Sequence, residues 1–185
     1  MSFQIIDTSL FDTKVGAYVN TINCVGAMGA GVALEFKKRY PTMFSDYKQK
    51  CYLKEIKPGD CYVYKEVDGV YILGLAVKND WKQWSTMEWI DQSIKSMKLI
   101  IMESDIKSVS MPLPGGKNGR RGPYGPVPNF TVPIEDKIEL TKFIEKQLSS
   151  FADKFNIEIN LCIPSDVVVA VPKKDDLTLD QFFSV

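Results

Sequence analysis

Residues 19–40 read VNTINCVGAMGAGVALEFKKRY. The first part closes an apolar, β-branched run, GAYVNTI, which reads as a buried strand. From Gly31 onward Val32, Phe36 and Tyr40 recur every four residues, which is a helical period. Gly26, Gly29 and Gly31 fill the joint, and Asn20 and Asn23 stand just ahead of it. In an open α/β sheet, ligands bind beyond the carboxyl ends of strands. A helix that starts there offers free amides and the positive end of its dipole, and both favour a phosphate or diphosphate. The spacing G-x-x-G-x-G is neither the dinucleotide fingerprint nor a P-loop, so the joint reads as a diphosphate cradle of another kind. The alternative is that the glycines serve only tight strand–helix packing. The asparagines favour a ligand, because an unpaired amide at the end of a buried strand costs about 1–3 kcal/mol. Asn23 is the better ligand candidate; Asn20 either meets the ligand or bonds neighbouring backbone.

Outward from this joint, FQII reads as a short strand before it. Pro41 ends the first helix and opens a second, PTMFSDYKQKC, with Met43, Phe44, Tyr47 and Cys51 on its apolar side. CYVYKEVDGVYILGLAV predicts two strands paired around Asp68-Gly69. KNDWKQW follows as a polar, aromatic loop. Ser85 is the expected N-cap of a long helix, with Glu88 completing a capping box and Trp89, Ile90, Ile94, Met97 and Ile101 forming its stripe. IKSVSMPL is a strand, PGGKNGRRGPYGPVPNFTVP a long irregular loop, IEDKIELTKFIEKQLSSFADKF a helix and IEINLCI a last strand. Strands alternating with helices predict one α/β domain over residues 1–185, with a mixed or mostly parallel sheet between helical layers. Residues 165–185 form an extension of unassigned role, in which DVVVAV reads as an edge strand and DLTLDQFF as a short helix or a docking peptide.

Lys and Arg balance Asp and Glu at 23 each, so no overall field attracts a polyanion. There are no histidines, which excludes a Ser-His-Asp triad and any imidazole-bound metal. Cys24, Cys51, Cys61 and Cys162 form no CxxC and read as reduced thiols of a cytoplasmic protein. Cys24 lies in the glycine joint, where a reactive thiol is the alternative. No apolar run reaches the roughly 18 residues of a membrane helix, and MSFQIIDTSLF is no signal peptide. A monomer without membrane contact, metal or cofactor is the expectation.

Two further places carry chemistry. Lys78 leaves a buried strand beside Asn79, Asp80 and Trp81. A lysine against apolar walls can act as a nucleophile or as a fixed cation; the alternative is a solvated lysine paired with Asp80. In the long loop, Lys117, Arg120 and Arg121 sit among glycines, which suits a phosphate, and Tyr124 or Phe130 can stack on a base. The alternative is a solvated surface loop. Trp81 and Trp84 read as packing residues, or as the lining of a pocket, and Trp89 as core.

VNTINCVGAMGAGVALEFKKRYP, YILGLAVKNDW and SVSMPLPGGKNG, in this order, resemble the ligand loops of macrodomains, the ADP-ribose-binding family. The likeness is strongest to the branch that contains the DarG antitoxin and the terminal ADP-ribose glycohydrolase, and it spans residues 3–148. It implies a three-layer α/β/α sandwich around a central mixed sheet, with ADP-ribose across its crest. Ser9 and Leu10 would then flank the adenine. Asn23 would contact the distal ribose, with Asn20 and Met28 beside it. Gly29, Ala30, Gly31 and Val32 would give amides to the diphosphate and ribose. Pro114, Gly115, Gly116, Lys117, Asn118 and Gly119 would clasp the other side, with Tyr124 near. Lys78 matches the lysine that this branch uses for catalysis, and Lys78, Asn23 and Asn118 form the expected catalytic set. Two positions depart from the pattern. Ser9 stands where the family often has an acidic residue that reads adenine. Asn118 stands where some relatives pair an aspartate with the lysine, and an amide cannot be a general base. The implied activity is hydrolysis of an ADP-ribosyl linkage on a protein or DNA, with nucleic acid bound only as modified substrate. The alternatives are a non-catalytic reader or sponge of ADP-ribose or its cyclic derivatives, and an ADP-ribose 1″-phosphate phosphatase.

Overall fold

The computed structural model describes residues 2–115 and 134–163. In chain order the elements are β1 (Phe3–Ile6), β2 (Ala17–Asn23), α1 (Gly31–Arg39), α2 (Pro41–Tyr52), β3 (Cys61–Lys65), β4 (Tyr71–Lys78), α3 (Met87–Glu103), β5 (Ser108–Pro112), α4 (Ile134–Phe155) and β6 (Glu158–Cys162). A single 3-10 turn, Leu10–Asp12, follows β1. The expected extension, residues 165–185, lies outside the described residues.

The six strands form one sheet in the order β1-β6-β5-β2-β4-β3. Every neighbouring pair is parallel except β3 with β4, so the sheet is mixed as the sequence implied. That antiparallel pair is the hairpin foreseen at Asp68-Gly69. Gly69 supplies a φ of +91°, and the Asp68 carboxylate accepts from the Val70 amide at 3.1 Å.

Two helical layers cover the sheet. On one face Val19, Leu73, Leu75, Val109 and Ile159 pack against α3 and α4; on the other Tyr18, Ile22, Ile72 and Ala76 pack against Phe36 of α1 and Met43 and Tyr47 of α2. Alternation along β2 decides which residue faces which layer, and it sends Asn20 toward α1 and α2 with Tyr18 and Ile22. Each large apolar side chain removed from water here contributes about 1.5–3 kcal/mol, so both faces hold the strands in register.

Tyr40 serves as both the C-cap of α1 and the N-cap of α2, with Pro41 at the first helical position. The start of α3 differs from the sequence expectation. Thr86, not Ser85, is the N-cap; its hydroxyl accepts from the Trp89 amide at 3.2 Å. Ser85 turns inward and is buried, and Glu88 accepts from the Gln92 side chain instead of closing a capping box. Trp89 is only half-buried, and the true stripe of α3 is Ile90, Ser93, Ile94, Met97 and Ile101.

Candidate functional site

Because β5, β2 and β4 are adjacent and parallel, the segments that follow them rise side by side on one crest. These are the glycine joint after β2, the KNDWKQW loop after β4 and the loop opening with Pro114 and Gly115 after β5. Asn23, the last residue of β2, is the register partner of Lys78, the last residue of β4. The register jumps here, from Ile22 opposite Ala76 to Asn23 opposite Lys78. Lys78 is half-buried. Two bonds tie the loops together above it: the Cys24 amide donates to the Asn79 carbonyl at 3.0 Å, and the Cys24 thiol donates to the Lys78 carbonyl at 3.4 Å.

Asn23 builds the joint from within. Its Oδ1 accepts from the amides of Val25 and Ala27 at 3.1 Å each, and its Nδ2 donates to the Ala27 carbonyl at 2.6 Å. The hydroxyl of Tyr47 on α2 donates to the Asn23 carbonyl at 2.7 Å and lies 3.2 Å from Oδ1. Burial pushes that phenol well above its usual range, so it stays a donor. Asn20 is the opposite case. Among the described residues its Nδ2 reaches the Met28 sulfur at 3.8 Å alone, and its buried Oδ1 has no hydrogen-bond partner. Of the two asparagines, Asn20 holds the unspent polar capacity. Gly74 stands opposite it on β4, where an added Cβ would lie 2.9 Å from Ile22.

The glycines of the joint have separate reasons. Gly26 has a φ of +76°, and a Cβ there would lie 3.3 Å from the Lys48 side chain. Gly31 opens α1 with a φ of +55°. Gly29 has neither constraint: its φ is not positive, and a Cβ would meet nothing within 4 Å among the described residues. Ala30, the N-cap of α1, forms no side-chain cap. The N-cap residue thus leaves the first-turn amides of Gly31, Val32 and Ala33 uncapped by its side chain.

Leu10 and Met28 are buried in one apolar cluster with Tyr18 and Phe36, which brings the segment after β1 against the glycine joint. Ser9 is exposed beside them, its carbonyl accepting from the Asp12 amide at 3.1 Å. After β5, Pro114 and Gly115 are buried, and Gly115 turns with a φ of +78° against Ile90. Gly116, Lys117, Asn118, Gly119 and Tyr124 lie outside the described residues, as do Arg120, Arg121 and Phe130.

Cys24 is half-buried, and its surroundings favour the thiol over the thiolate. Burial, with smaller contributions from Cys51 and Asp60, pushes it up to about 12, so it stays protonated at neutral pH. Trp81 also differs from expectation: it does not pack but is 57% exposed. Sequence reading placed Tyr47 on an apolar stripe and missed its bond to the joint. A tyrosine where phenylalanine would pack equally well was the available signal. A concavity of about 320 Å³ lies at the opposite pole, lined by Ser2, Lys107, Asp153, Asn156, Ile157 and Glu158, and shares no residue with the crest.

The family model of the Macro domain matches residues 19–117, from within β2 to the first residues after β5. The chain belongs to the Macro domain family. This macrodomain is 40% identical over 106 residues to the DNA ADP-ribosyl glycohydrolase of Mycobacterium tuberculosis, covering 56% of this chain and 30% of that one. It is 31% identical over 140 residues to the DNA ADP-ribosyl glycohydrolase of Thermus aquaticus, covering 74% of this chain and 38% of that one. The chain thus spans well under half the length of these curated relatives. Among solved structures, the macrodomain of Mycobacterium tuberculosis DarG superposes with a TM-score of 0.74 at 28% identity, over 88% of this chain and 98% of that one. The sandwich architecture and the family implied by the three motifs are both confirmed.

Proposed function

We propose that this macrodomain binds ADP-ribose across the crest and hydrolyses the bond joining its ribose to a macromolecule, ADP-ribosylated DNA being the favoured class. The observation that carries the reading is the opening of α1. Gly29 has no internal reason to be glycine, yet it leaves open space where uncapped amides begin a helix. Backbone donors without a side-chain cap, beside a position with no Cβ, suit a close approach by a diphosphate. The register pair Asn23–Lys78 then stands at the sugar end of such a ligand. The likeness to the two DNA ADP-ribosyl glycohydrolases supports both the substrate class and the reaction.

In this reading the diphosphate contacts hold the anomeric carbon in place, which lowers the barrier through positioning. Lys78 then either attacks that carbon as an amine while the bond to the macromolecule breaks, with water releasing the adduct, or stabilises the leaving group as an ammonium while water attacks the carbon. Calorimetric titration with ADP-ribose, AMP and NAD is the first test, followed by incubation with ADP-ribosylated DNA and protein. ADP-ribose is expected to bind and to be released from DNA. Lys78→Ala is expected to keep affinity and lose about 100-fold or more in turnover. No heat with millimolar ADP-ribose refutes the binding site. Binding without release makes the protein a reader, and release of phosphate from ADP-ribose 1″-phosphate alone makes it a phosphatase.

A further inference from the structure

The loop after β4 presents an aromatic side chain, Trp81, to solvent three residues after Lys78. Trp81 is 57% exposed, and Val25, on the joint bonded to that loop through Cys24 and Asn79, is 49% exposed. Soluble domains place few indoles in water beyond what function needs. The loop is also braced. The Asp80 carboxylate accepts from the Lys82 amide at 2.9 Å, and the Asp80 carbonyl accepts from the Gln83 amide at 3.0 Å. Trp81 is therefore the apex of a hydrogen-bonded turn, with the Lys82 ammonium 5.3 Å from its ring centroid. Three residues of chain reach at most about 11 Å, so the Trp81 backbone stays within that distance of Lys78, on the same crest.

Resting on the function proposed above, we propose that Trp81 and Lys82 are the platform for the nucleic-acid part of the substrate: Trp81 stacks on a base neighbouring the ADP-ribosylated nucleotide of a single strand, and Lys82 meets its phosphate. The overall charge supports this division of labour. With 23 basic and 23 acidic residues the chain has no broad field to hold DNA, so recognition beyond ADP-ribose must be local. An exposed indole with an adjacent cation is the local device used for single strands, because every base offers a π face. A duplex keeps its bases stacked on each other and gives the indole nothing to stack on.

The test compares wild type with Trp81→Ala, Trp81→Phe and Lys82→Ala. The ligands are free ADP-ribose, a single-stranded oligonucleotide ADP-ribosylated on one base, and an ADP-ribosylated peptide. Affinity is measured in a Lys78→Ala background to prevent turnover, and kcat/KM with Lys78 intact. Trp81→Ala is expected to weaken the oligonucleotide by about 5- to 150-fold, to leave free ADP-ribose and the peptide unchanged, and to leave Tm unchanged. Trp81→Phe is expected to recover most of the loss. Lys82→Ala is expected to reduce the slope of log affinity against log salt by about 0.7 on the oligonucleotide. If wild type binds ADP-ribose but Trp81→Ala costs nothing on the oligonucleotide, or costs as much on the peptide or on free ADP-ribose, the platform is refuted and the macrodomain function stands. If wild type binds no ADP-ribose, the function falls and takes the platform with it.

Discussion

Replacing Tyr47 by phenylalanine tests how the glycine joint is built. Tyr47 is fully buried and its ring packs among Phe44 and Tyr62. Phenylalanine keeps those contacts and removes only the hydroxyl. The lost bond is the 2.7 Å donation to the Asn23 carbonyl, together with the 3.2 Å approach to Asn23 Oδ1. Oδ1 keeps its two amide donors, so the damage falls on the carbonyl, which loses its hydroxyl donor and keeps the weakly donating Cys51 thiol at 3.8 Å. Losing that buried bond costs about 1–2 kcal/mol. For a domain of this size that lowers Tm by about 2–8 °C, read by scanning calorimetry or a urea melt. The loss should be larger for ligand than for an ordinary core change of equal cost, because the bond positions the chain just ahead of the proposed diphosphate amides. ADP-ribose affinity is therefore expected to fall along with Tm. A Tyr47→Phe protein with unchanged Tm and unchanged affinity would refute the claim that α2 braces the joint.

The glycines divide in the same way. Gly29→Ala is expected to leave Tm unchanged, since its Cβ meets nothing, and to weaken ADP-ribose at least tenfold by calorimetry; unchanged affinity removes the argument from open space. Gly26→Ala is expected to destabilise by about 1–2 kcal/mol, because an L-residue must hold a positive φ there; an unchanged melt would show that the joint can relax. Alkaline stability follows from the buried thiols. Burial raises Cys24 to about 12 and Cys162 to about 11, against an ordinary value near 9.0. Between these limits the unfolded chain loses thiol protons that the folded chain keeps, so stability is intact below about pH 9 and declines as pH climbs toward 12. A Tm that holds constant through pH 11 contradicts that sign.

Much of the crest was legible because its residues are local. The strand–glycine–helix order from Val19 to Tyr40 fixes where amides open, and Pro41 and Asp68-Gly69 fix the next two turns. What the chain order did not disclose depends on partners distant in sequence. Tyr47 reaches back 24 positions to Asn23, and the Cys24 thiol reaches across 54 to the Lys78 carbonyl. Ser85 and Thr86 are both competent caps by type. Tertiary packing chose between them, turning Ser85 inward against the Gly115 turn and leaving Thr86 to cap α3. Trp81 was expected to pack or to line a pocket, and its 57% exposure became visible only once the fold set its loop above the sheet.

The two asparagines show where the recognition is written. Asn23 was the more attractive ligand residue in sequence, yet its amide is engaged on both ends by its own joint. Its work is to bend Val25–Ala27 so that the following backbone opens toward solvent at Gly29. Asn20 carries a buried acceptor with no partner among the described residues, a cost of about 1–3 kcal/mol that an apolar residue would avoid. On the proposed reading that cost is offset when the site is filled, while the diphosphate is held by main-chain amides. Side chains then shape and tune the crest, and the backbone does the gripping. This accounts for three glycines within six residues at the one place where β2 passes to α1, and for a helix that begins without a side-chain cap.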